Sequence, residues 1–242
     1  MQIQEQHEIE ELRAGWEKVQ IAGAPQVSQF DIPDIDTVRY IGGLDISFDK
    51  SSNSRACAYL TVWDLQTSQV VYEDYIVCNL SIPYISGFLG FREIPQYTKL
   101  LDKMKSDPTL SKLFPQVLMI DGAGVLHERK FGCACQIGTQ YDIPTIGVAK
   151  TLMCVDGLNE RQVKQDFVNN CKTKSDSIEL VGQSGYVYGL ALKTALNVIN
   201  PLYISVGHKI SLGTAKKLVL STCIYKNPEP IRNSDIKSKL YL

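Results

Sequence analysis

Three acidic residues stand at positions where a carboxylate is costly to bury or well placed to act. Asp45 interrupts an otherwise apolar strand-like run, GLDISF, where an isolated charge would be expensive to desolvate without a cation or a donor. Asp121 ends the apolar run VLMID, and the ends of such strands border the binding crevice of an α/β sheet. Glu93 begins a helical segment between them. If the strands of Asp45 and Asp121 are central neighbours, all three carboxylates meet at one edge of the sheet.

Oxygen donors without histidine or cysteine at ligand spacing favour a hard cation. Mg²⁺ or Mn²⁺ takes one or two protein carboxylates and completes its shell with water and phosphate oxygens. The expected chemistry is therefore metal-assisted hydrolysis of a phosphodiester. Each acid also has a structural explanation, because Asp121 could cap a turn and the helix dipole favours Glu93 at a helix start. Asp45 is harder to explain in this way.

Two basic residues could assist this chemistry. Lys150 ends the run GVAK, and a parallel arrangement would place it at the same sheet edge as Asp121, where its ammonium could contact a phosphate. His208 follows a strand-like run and precedes a helix, where it could bind metal, position water or meet a phosphate. The alternatives are a solvated lysine and a structural histidine.

Two loops could contact a ligand. Gly122 and Gly124 follow Asp121 and would let the backbone approach a ligand closely, although a tight turn needs the same residues. Tyr84 lies in the segment IPYISGF, which proline and glycine hold in a defined path. An aromatic side chain on such a loop either packs on the core or serves as a wedge that unstacks bases.

The hydrophobic pattern predicts the elements that position these residues. Strand-like runs over 39–49, 54–65 and 69–80 are separated by short polar stretches, which predicts an antiparallel meander. The next segments alternate in type: a helix over 93–105, a strand over 115–120, a helix over 130–141 and a strand over 143–149. This alternation predicts a parallel β-α-β-α-β arrangement with right-handed crossovers. Further strands over 177–182, 185–193 and 201–207 precede a final amphipathic helix over 211–223.

The fold class is therefore α/β, a mixed sheet of three antiparallel strands and a parallel part, flanked by helices in a single domain. Residues 8–20 form a separate amphipathic helix, which Gly23 and Pro25 end. We predict that 1–38 is an N-terminal helix with its lead-in and that 39–242 is the sheet domain.

Composition sets limits on the function class. The 242 residues are 44% hydrophobic and 21% charged, which excludes a disordered, collagenous or coiled-coil protein. The net charge of -1 excludes a polycation that holds nucleic acid by charge alone. Charge is nevertheless uneven, since residues 201–242 hold seven bases and two acids. A polyanion would meet this region first.

The location of the protein follows from its apolar segments and its cysteines. An apolar run of membrane-spanning length is missing, and the acidic N-terminus is unlike a signal peptide. Seven scattered cysteines are typical of buried, reduced thiols. Cys133 and Cys135 would point to different faces of their helix, which gives a zinc or redox site little support. We expect a cytoplasmic protein, with the nucleus and nucleolus as alternatives, and no membrane contact.

The motifs that contain these residues resemble those of the endonuclease V family, inosine-specific nucleases with a ribonuclease H-like fold. The matching segments occur in order between Gly42 and Lys237: GGLDISF, PYISGFLGFRE, IDGAGVLH, IPTIGVAK, ISVGHKISL and PEPIR. Bacterial members tend to read PYIP and DGHG where this chain has Ser86 and Ala123. Ser86, GVLH and SVGH are similar to the eukaryotic branch, whose members prefer inosine in RNA.

The resemblance implies a role for each candidate residue. Asp45 and Asp121 would be ligands of the divalent metal, with Glu93 completing the acidic site. His208 and Lys150 would act at the scissile phosphate. Tyr84 would be the wedge. The pocket for the flipped hypoxanthine would be lined by the backbone near Gly87, Leu89 and Gly122.

The function implied is a Mg²⁺-dependent endoribonuclease, with Mn²⁺ able to substitute. It would cut single-stranded RNA at the second phosphodiester 3′ to inosine and leave 3′-hydroxyl and 5′-phosphate ends. Deoxyinosine-containing DNA is a further substrate class, and a monomer is expected. Two alternatives stay open: a repair endonuclease specific for deoxyinosine in DNA, and a protein that binds inosine-containing RNA without cleaving it.

Overall fold

A computed structural model describes residues 2–51 and 54–242, with side chains from residue 8 onward. The strands are β1 (Tyr40–Phe48), β2 (Arg55–Asp64), β3 (Gln69–Asn79), β4 (Val117–Asp121), β5 (Thr145–Ala149), β6 (Ser177–Val181), β7 (Val187–Leu192) and β8 (Leu202–His208). The α-helices are α1 (Gln2–Gly23), α2 (Leu89–Ser106), α3 (Cys133–Tyr141), α4 (Glu160–Asn170), α5 (Leu212–Thr222) and α6 (Glu229–Ser238). None of these helices is both long and apolar enough to span a bilayer.

The strands form one eight-stranded mixed sheet in the order β3-β2-β1-β4-β5-β8-β7-β6. β1, β2 and β3 pair antiparallel, because the short connections between them can only reverse the direction of the chain. β4 pairs parallel to β1, and β5 parallel to β4, each reached through a helix. This confirms the predicted fold class. β8 pairs antiparallel to β5, so its C-terminal end points the opposite way.

Helices cover both faces of the sheet and bury its central strands. Along β4, Leu118 and Ile120 enter the cluster that packs against α2, whereas Val117 and Met119 enter the cluster that packs against α5 and α6. This alternation follows the two-residue period of a strand. A strand covered on both faces reads as a continuous apolar run, which explains VLMI.

Three helix predictions need correction. α2 begins at Leu89, so Glu93 lies inside the helix and not at its start. Gly90 and Pro95 gave this segment the pattern of a loop. The helix α5 is not the last one, since α6 follows it, and α4 was not predicted. α4 buries only Val163 and Phe167, too few residues to create a helical period.

Candidate active site

Asp45 and Asp121 lie side by side. β1 and β4 pair in parallel register with Leu44 opposite Ile120, so the next residue of each strand falls at the same level. The two carboxyl groups are close enough for the charge of Asp121, after burial itself, to raise the pKa of Asp45. Asp45 is only 7% exposed. The structure thus brings together the two aspartates that the strand pattern placed at one sheet edge.

Glu93 reaches the same point from α2. It is buried, and the hydroxyl of Tyr97 donates to its Oε2 at 3.5 Å. Burial raises the pKa of Glu93 to about 8, with further contributions from the charges of Asp45 and Asp121. Burial also raises the pKa of Asp45 to about 8, followed by the charges of Asp121 and Asp235. These shifts express the repulsion of carboxylates that share a desolvated site.

Lys150 supplies positive charge next to these acids. It follows β5, and its Nζ donates to Asp121 Oδ2 at 2.7 Å and lies 3.5 Å from Asp235 Oδ2. Burial opposes its charge, but the neighbouring carboxylate of Asp121 raises the pKa of Lys150. The parallel pairing of β4 and β5 therefore places this lysine as predicted.

Asp235 is a fourth acid of this cluster that sequence reasoning missed. It lies on α6, which rests on β1 so closely that a Cβ at Gly43 would overlap the carbonyl group of Pro230. Ser234 Oγ donates to the carbonyl of Gly43 at 3.0 Å. The signal for α6 was present, because prolines flank Glu229 at the first helical positions and a glutamate suits the first turn.

The donor set fits a magnesium-type cation. Within residues 2–51 and 54–242, no three acidic, histidine or cysteine side chains converge as in a finished cation cage. Mg²⁺ does not need one, since it binds through one or two carboxylates and keeps several waters or phosphate oxygens. Asp45 and Asp121 provide such a pair, and Glu93 and Asp235 add negative charge. Burial is the largest cause of the raised pKa of Asp45, and a cation would offset both this burial and the repulsion from Asp121 and Asp235.

A cavity that opens to solvent lies next to the carboxylates. Its empty volume, including the space at the entrance, is about 480 Å³. Its wall includes Glu93 and Asp121 from the acidic cluster. The three residues proposed to surround a base also line it: Gly87, Leu89 and Gly122. The remaining lining residues are Gln20, Gly90, Ala123, His127, Gly132, Cys133, Gln136 and Met153. The cavity and the acids therefore form one continuous cleft.

The Gly87 peptide in this wall is held by two donors. Its φ of +81° is a conformation that favours glycine. The carbonyl of Gly87 accepts from Gln20 Nε2 and contacts His127 Nε2, each at 2.9 Å. Sequence reasoning missed both partners. His127 stood within the motif GVLH, whereas nothing in the sequence distinguished Gln20 from other polar residues of α1.

Tyr84 lies on the loop between β3 and α2, outside the cavity. It is 66% exposed and lines a separate groove with Phe48 and Arg92. The guanidinium of Arg92 lies 4.5 Å from the ring centre of Phe48. The ring is exposed, and its role as a wedge stays a prediction.

His208 is not part of this site, which corrects its predicted position. It pairs with Thr145 at the amino end of β5, whereas Asp121 pairs with Val148 near the other end. His208 Nδ1 accepts from the backbone N–H of Ser28 at 3.2 Å. Because β8 runs antiparallel to β5, the C-terminal end of β8 and the carboxylates lie at opposite ends of the strands. The arrangement supports the structural explanation of this histidine.

Comparison with known proteins gives one consistent result. Residues 24–236 match the family profile described as Endonuclease V. Human Endonuclease V is 42% identical over 210 residues, which is 87% of this chain and 74% of that protein. The mouse protein is equally similar, and the match spans 62% of its length.

Solved structures agree with this match. The catalytic domain of human Endonuclease V superimposes with a TM-score of 0.91 and 38% identity, covering 96% of both chains. Endonuclease V of Ciona intestinalis has a TM-score of 0.90 and 31% identity, covering 96% of this chain and 97% of its own. That protein is bound to a 23mer DNA containing an inosine followed by a ribo-adenosine.

Proposed function

The chain belongs to the endonuclease V family, a family of nucleases, and from this we propose that it is a Mg²⁺-dependent endonuclease for inosine-containing nucleic acid. The proposed cut is at the second phosphodiester 3′ to inosine in single-stranded RNA, leaving 3′-hydroxyl and 5′-phosphate ends. One observation carries the proposal: Asp121, which lies beside Asp45 on the neighbouring strand, lines the same cavity as Gly87 and Leu89.

The acidic cluster accounts for cleavage. A divalent cation held by Asp45 and Asp121 would activate the attacking water and stabilise the leaving oxygen. Glu93 is buried and would add charge on the side of α2, and Asp235 would do so from α6. Lys150 keeps Asp121 in place through their 2.7 Å contact, and its ammonium is available to a phosphate oxygen that enters the cleft.

The cavity wall suggests how the base is recognised. α2 begins at Leu89, so the N–H groups of Leu89 and Gly90 have no partner within the helix. Hypoxanthine, like guanine, presents acceptors at O6 and N7, whereas adenine presents an amino group in place of O6. N–H donors in the wall would bind the O6 and N7 acceptors of hypoxanthine. With adenine, an N–H donor of the wall would instead face the N–H of the amino group. The exocyclic amine of guanine, absent from inosine, would be excluded by shape.

RNA is the proposed substrate because Ser86, GVLH and SVGH resemble the eukaryotic branch. The DNA alternative has its own support, since the Ciona protein is bound to a DNA strand that contains inosine.

The test is a cleavage assay with matched RNA and DNA strands that differ at one position, carrying inosine, adenosine or guanosine. Each strand is incubated with Mg²⁺, Mn²⁺ or EDTA, and the product ends are mapped. We expect product only with inosine and a divalent cation, faster with RNA. Faster cleavage of the DNA strand would favour the repair alternative. Tight binding of inosine strands without product would identify a non-cleaving binding protein.

A further inference from the structure

The wall of the cavity depends on a contact from outside the sheet domain. Gly87 lies on the loop between β3 and α2, and its carbonyl oxygen accepts two hydrogen bonds. One donor is the side-chain amide of Gln20 on α1, at 2.9 Å, and the other is the imidazole of His127. A carbonyl has two lone pairs, so both are used by the protein and the plane of this peptide is fixed.

The neighbours of each donor settle its orientation. Arg129 Nε donates to Gln20 Oε1 at 2.6 Å, which leaves the amide N–H of Gln20 facing Gly87. The backbone N–H of Arg129 donates to His127 Nδ1 at 3.2 Å, so the neutral ring carries its proton on Nε2, next to the Gly87 carbonyl. The guanidinium of Arg129 lies 4.5 Å from the ring centre of Phe88. These hydrogen bonds hold the Gly87 peptide, and both donors also line the cavity.

Gln20 is unusual for its helix. Among the described side chains of α1, residues 8–22, it is the one that is buried, with 3% exposed. The helix is otherwise anchored by apolar contacts: Trp16 stacks on Phe91 at 5.1 Å, and a Cβ at Gly23 would overlap the ring of Phe131. If the helix only packed at this position, an apolar residue would be sufficient there, because a buried amide costs free energy unless it is hydrogen-bonded.

The fixed peptide directly precedes the groups that line the base cavity. Phe88 is the residue before α2, and Leu89 and Gly90 are its first two residues, both in the cavity wall. A rotation of the Gly87 peptide would therefore turn the start of α2 and redirect the N–H groups of Leu89 and Gly90.

We propose that Gln20 is a positioning residue for base recognition, which acts through the Gly87 carbonyl on the N–H donors at the start of α2. This rests on the proposed function, since it assigns those donors to the inosine base. It makes α1 part of the specificity of the site and not only a packing helix. Gln20 itself touches no reacting atom.

The test replaces Gln20 by two residues of similar length. Gln20→Glu keeps the shape and the acceptor for Arg129 but loses the N–H that Gly87 needs, and Gln20→Met loses the donor without adding charge. Loss of one buried hydrogen bond predicts a rise of about tenfold in KM for an inosine strand. The preference for inosine over adenosine and guanosine in kcat/KM should fall by a similar factor, while kcat changes less than about twofold.

Gln26→Glu is the matched control, because its exposed amide donates to the nearby carbonyl of Ala22 and Gln26 does not line the cavity. It should leave KM and base preference unchanged. A role limited to stability would lower the melting temperature of the Gln20 variants but leave base preference intact, and this result would overturn the inference. A KM equal to that of the wild type in either Gln20 variant, when that variant is folded, would also overturn the inference. A wild-type protein that shows no preference for inosine would instead overturn the proposed function, so the two failures are distinguishable.

Discussion

The carboxyl groups of Asp45 and Asp121 lie next to each other, although they belong to strands that are distant in the chain. Parallel pairing of β1 and β4 places them at the same level, and burial keeps Asp45 from water. Two adjacent carboxyls in a desolvated site repel each other once both are ionised. The pair is therefore suited to a partner with two positive charges, and the first prediction concerns its removal.

Replacing either aspartate by asparagine should abolish cleavage while binding persists. Asparagine keeps the shape of the side chain but loses the charge that would hold a cation, so Asp45→Asn and Asp121→Asn should cut single-turnover cleavage by about 10³-fold. Affinity for an inosine strand, measured by fluorescence anisotropy, should change less than about threefold, because the base cavity is intact. Unchanged cleavage in both variants would remove the acidic pair from the mechanism.

Lys150 should matter more than a neighbouring lysine that contacts the same helix. Lys150→Met removes the charge next to Asp121 and Asp235, and we expect a decrease of about 10²-fold in kcat. Lys239→Met is the control, because Lys239 contacts Asp235 at 2.6 Å but is 60% exposed. An exposed ion pair contributes little, so this variant should keep kcat within about twofold. Equal losses in the two variants would contradict a specific role for Lys150.

The buried acids predict how stability depends on pH. Burial raises the pKa of Asp45 and of Glu93 to about 8, above the value of about 4 in an unfolded chain. The folded state then binds more protons than the unfolded state between these values. In EDTA, the contribution of these two groups to the free energy of unfolding should be largest at about pH 4 and below. It should decline as the pH rises towards 8.

Urea denaturation at several pH values measures this dependence. Asp45→Asn should show a shallower decline than the wild type, because one of the two groups no longer titrates. Mg²⁺ should flatten the wild-type decline, since a cation stabilises the ionised carboxylates. Identical pH profiles for the wild type and Asp45→Asn would refute the shift.

The contact between β1 and α6 should not tolerate a methyl group. Gly43→Ala would push against the Pro230 carbonyl and displace the helix that carries Asp235. We expect a loss of about 1–3 kcal/mol in the free energy of unfolding, together with lower kcat. Gly15→Ala, in α1 with open space around it, should instead stabilise the protein by about 0.5–1 kcal/mol. Thermal and urea denaturation would compare the two, and a stable, fully active Gly43→Ala would argue against this tight contact.

The effect of replacing Tyr84 on KM should depend on how firmly the inosine is stacked in the substrate. Tyr84→Ala should leave the melting temperature nearly unchanged, because the ring is 66% exposed. If the ring fills the space of an extruded base, KM should rise about tenfold for inosine in a duplex and less for a single strand. Tyr84→Trp should retain most of the function. Equal effects on both substrates would favour a packing role.

Local patterns predicted the central part of this site because each of its residues ends or interrupts a periodic segment. Asp45 and Asp121 follow from apolar strands, and Lys150 follows from the parallel direction of β5 relative to β4. His208 failed for the opposite reason: its strand was identified, but the direction of β8 depends on tertiary pairing that the strand's own residues do not encode.

Other residues reach the site only through packing between distant segments. Asp235 depends on the docking of α6 against Gly43, and a helix face carries no signal of the strand it will meet. Gln20 looks like any surface glutamine until α1 is placed against the Gly87 loop. Hydrogen bonds between side chains and a distant backbone leave no periodic trace in the sequence.

The seating of α6 on β1 also sets an order of events during synthesis. Asp45 leaves the ribosome early and Asp121 midway, whereas Asp235 emerges after every strand of the sheet. A nascent chain therefore carries the aspartate pair before it carries the last acid, and the group of four acids is complete only after α6 has been synthesised and has folded onto β1.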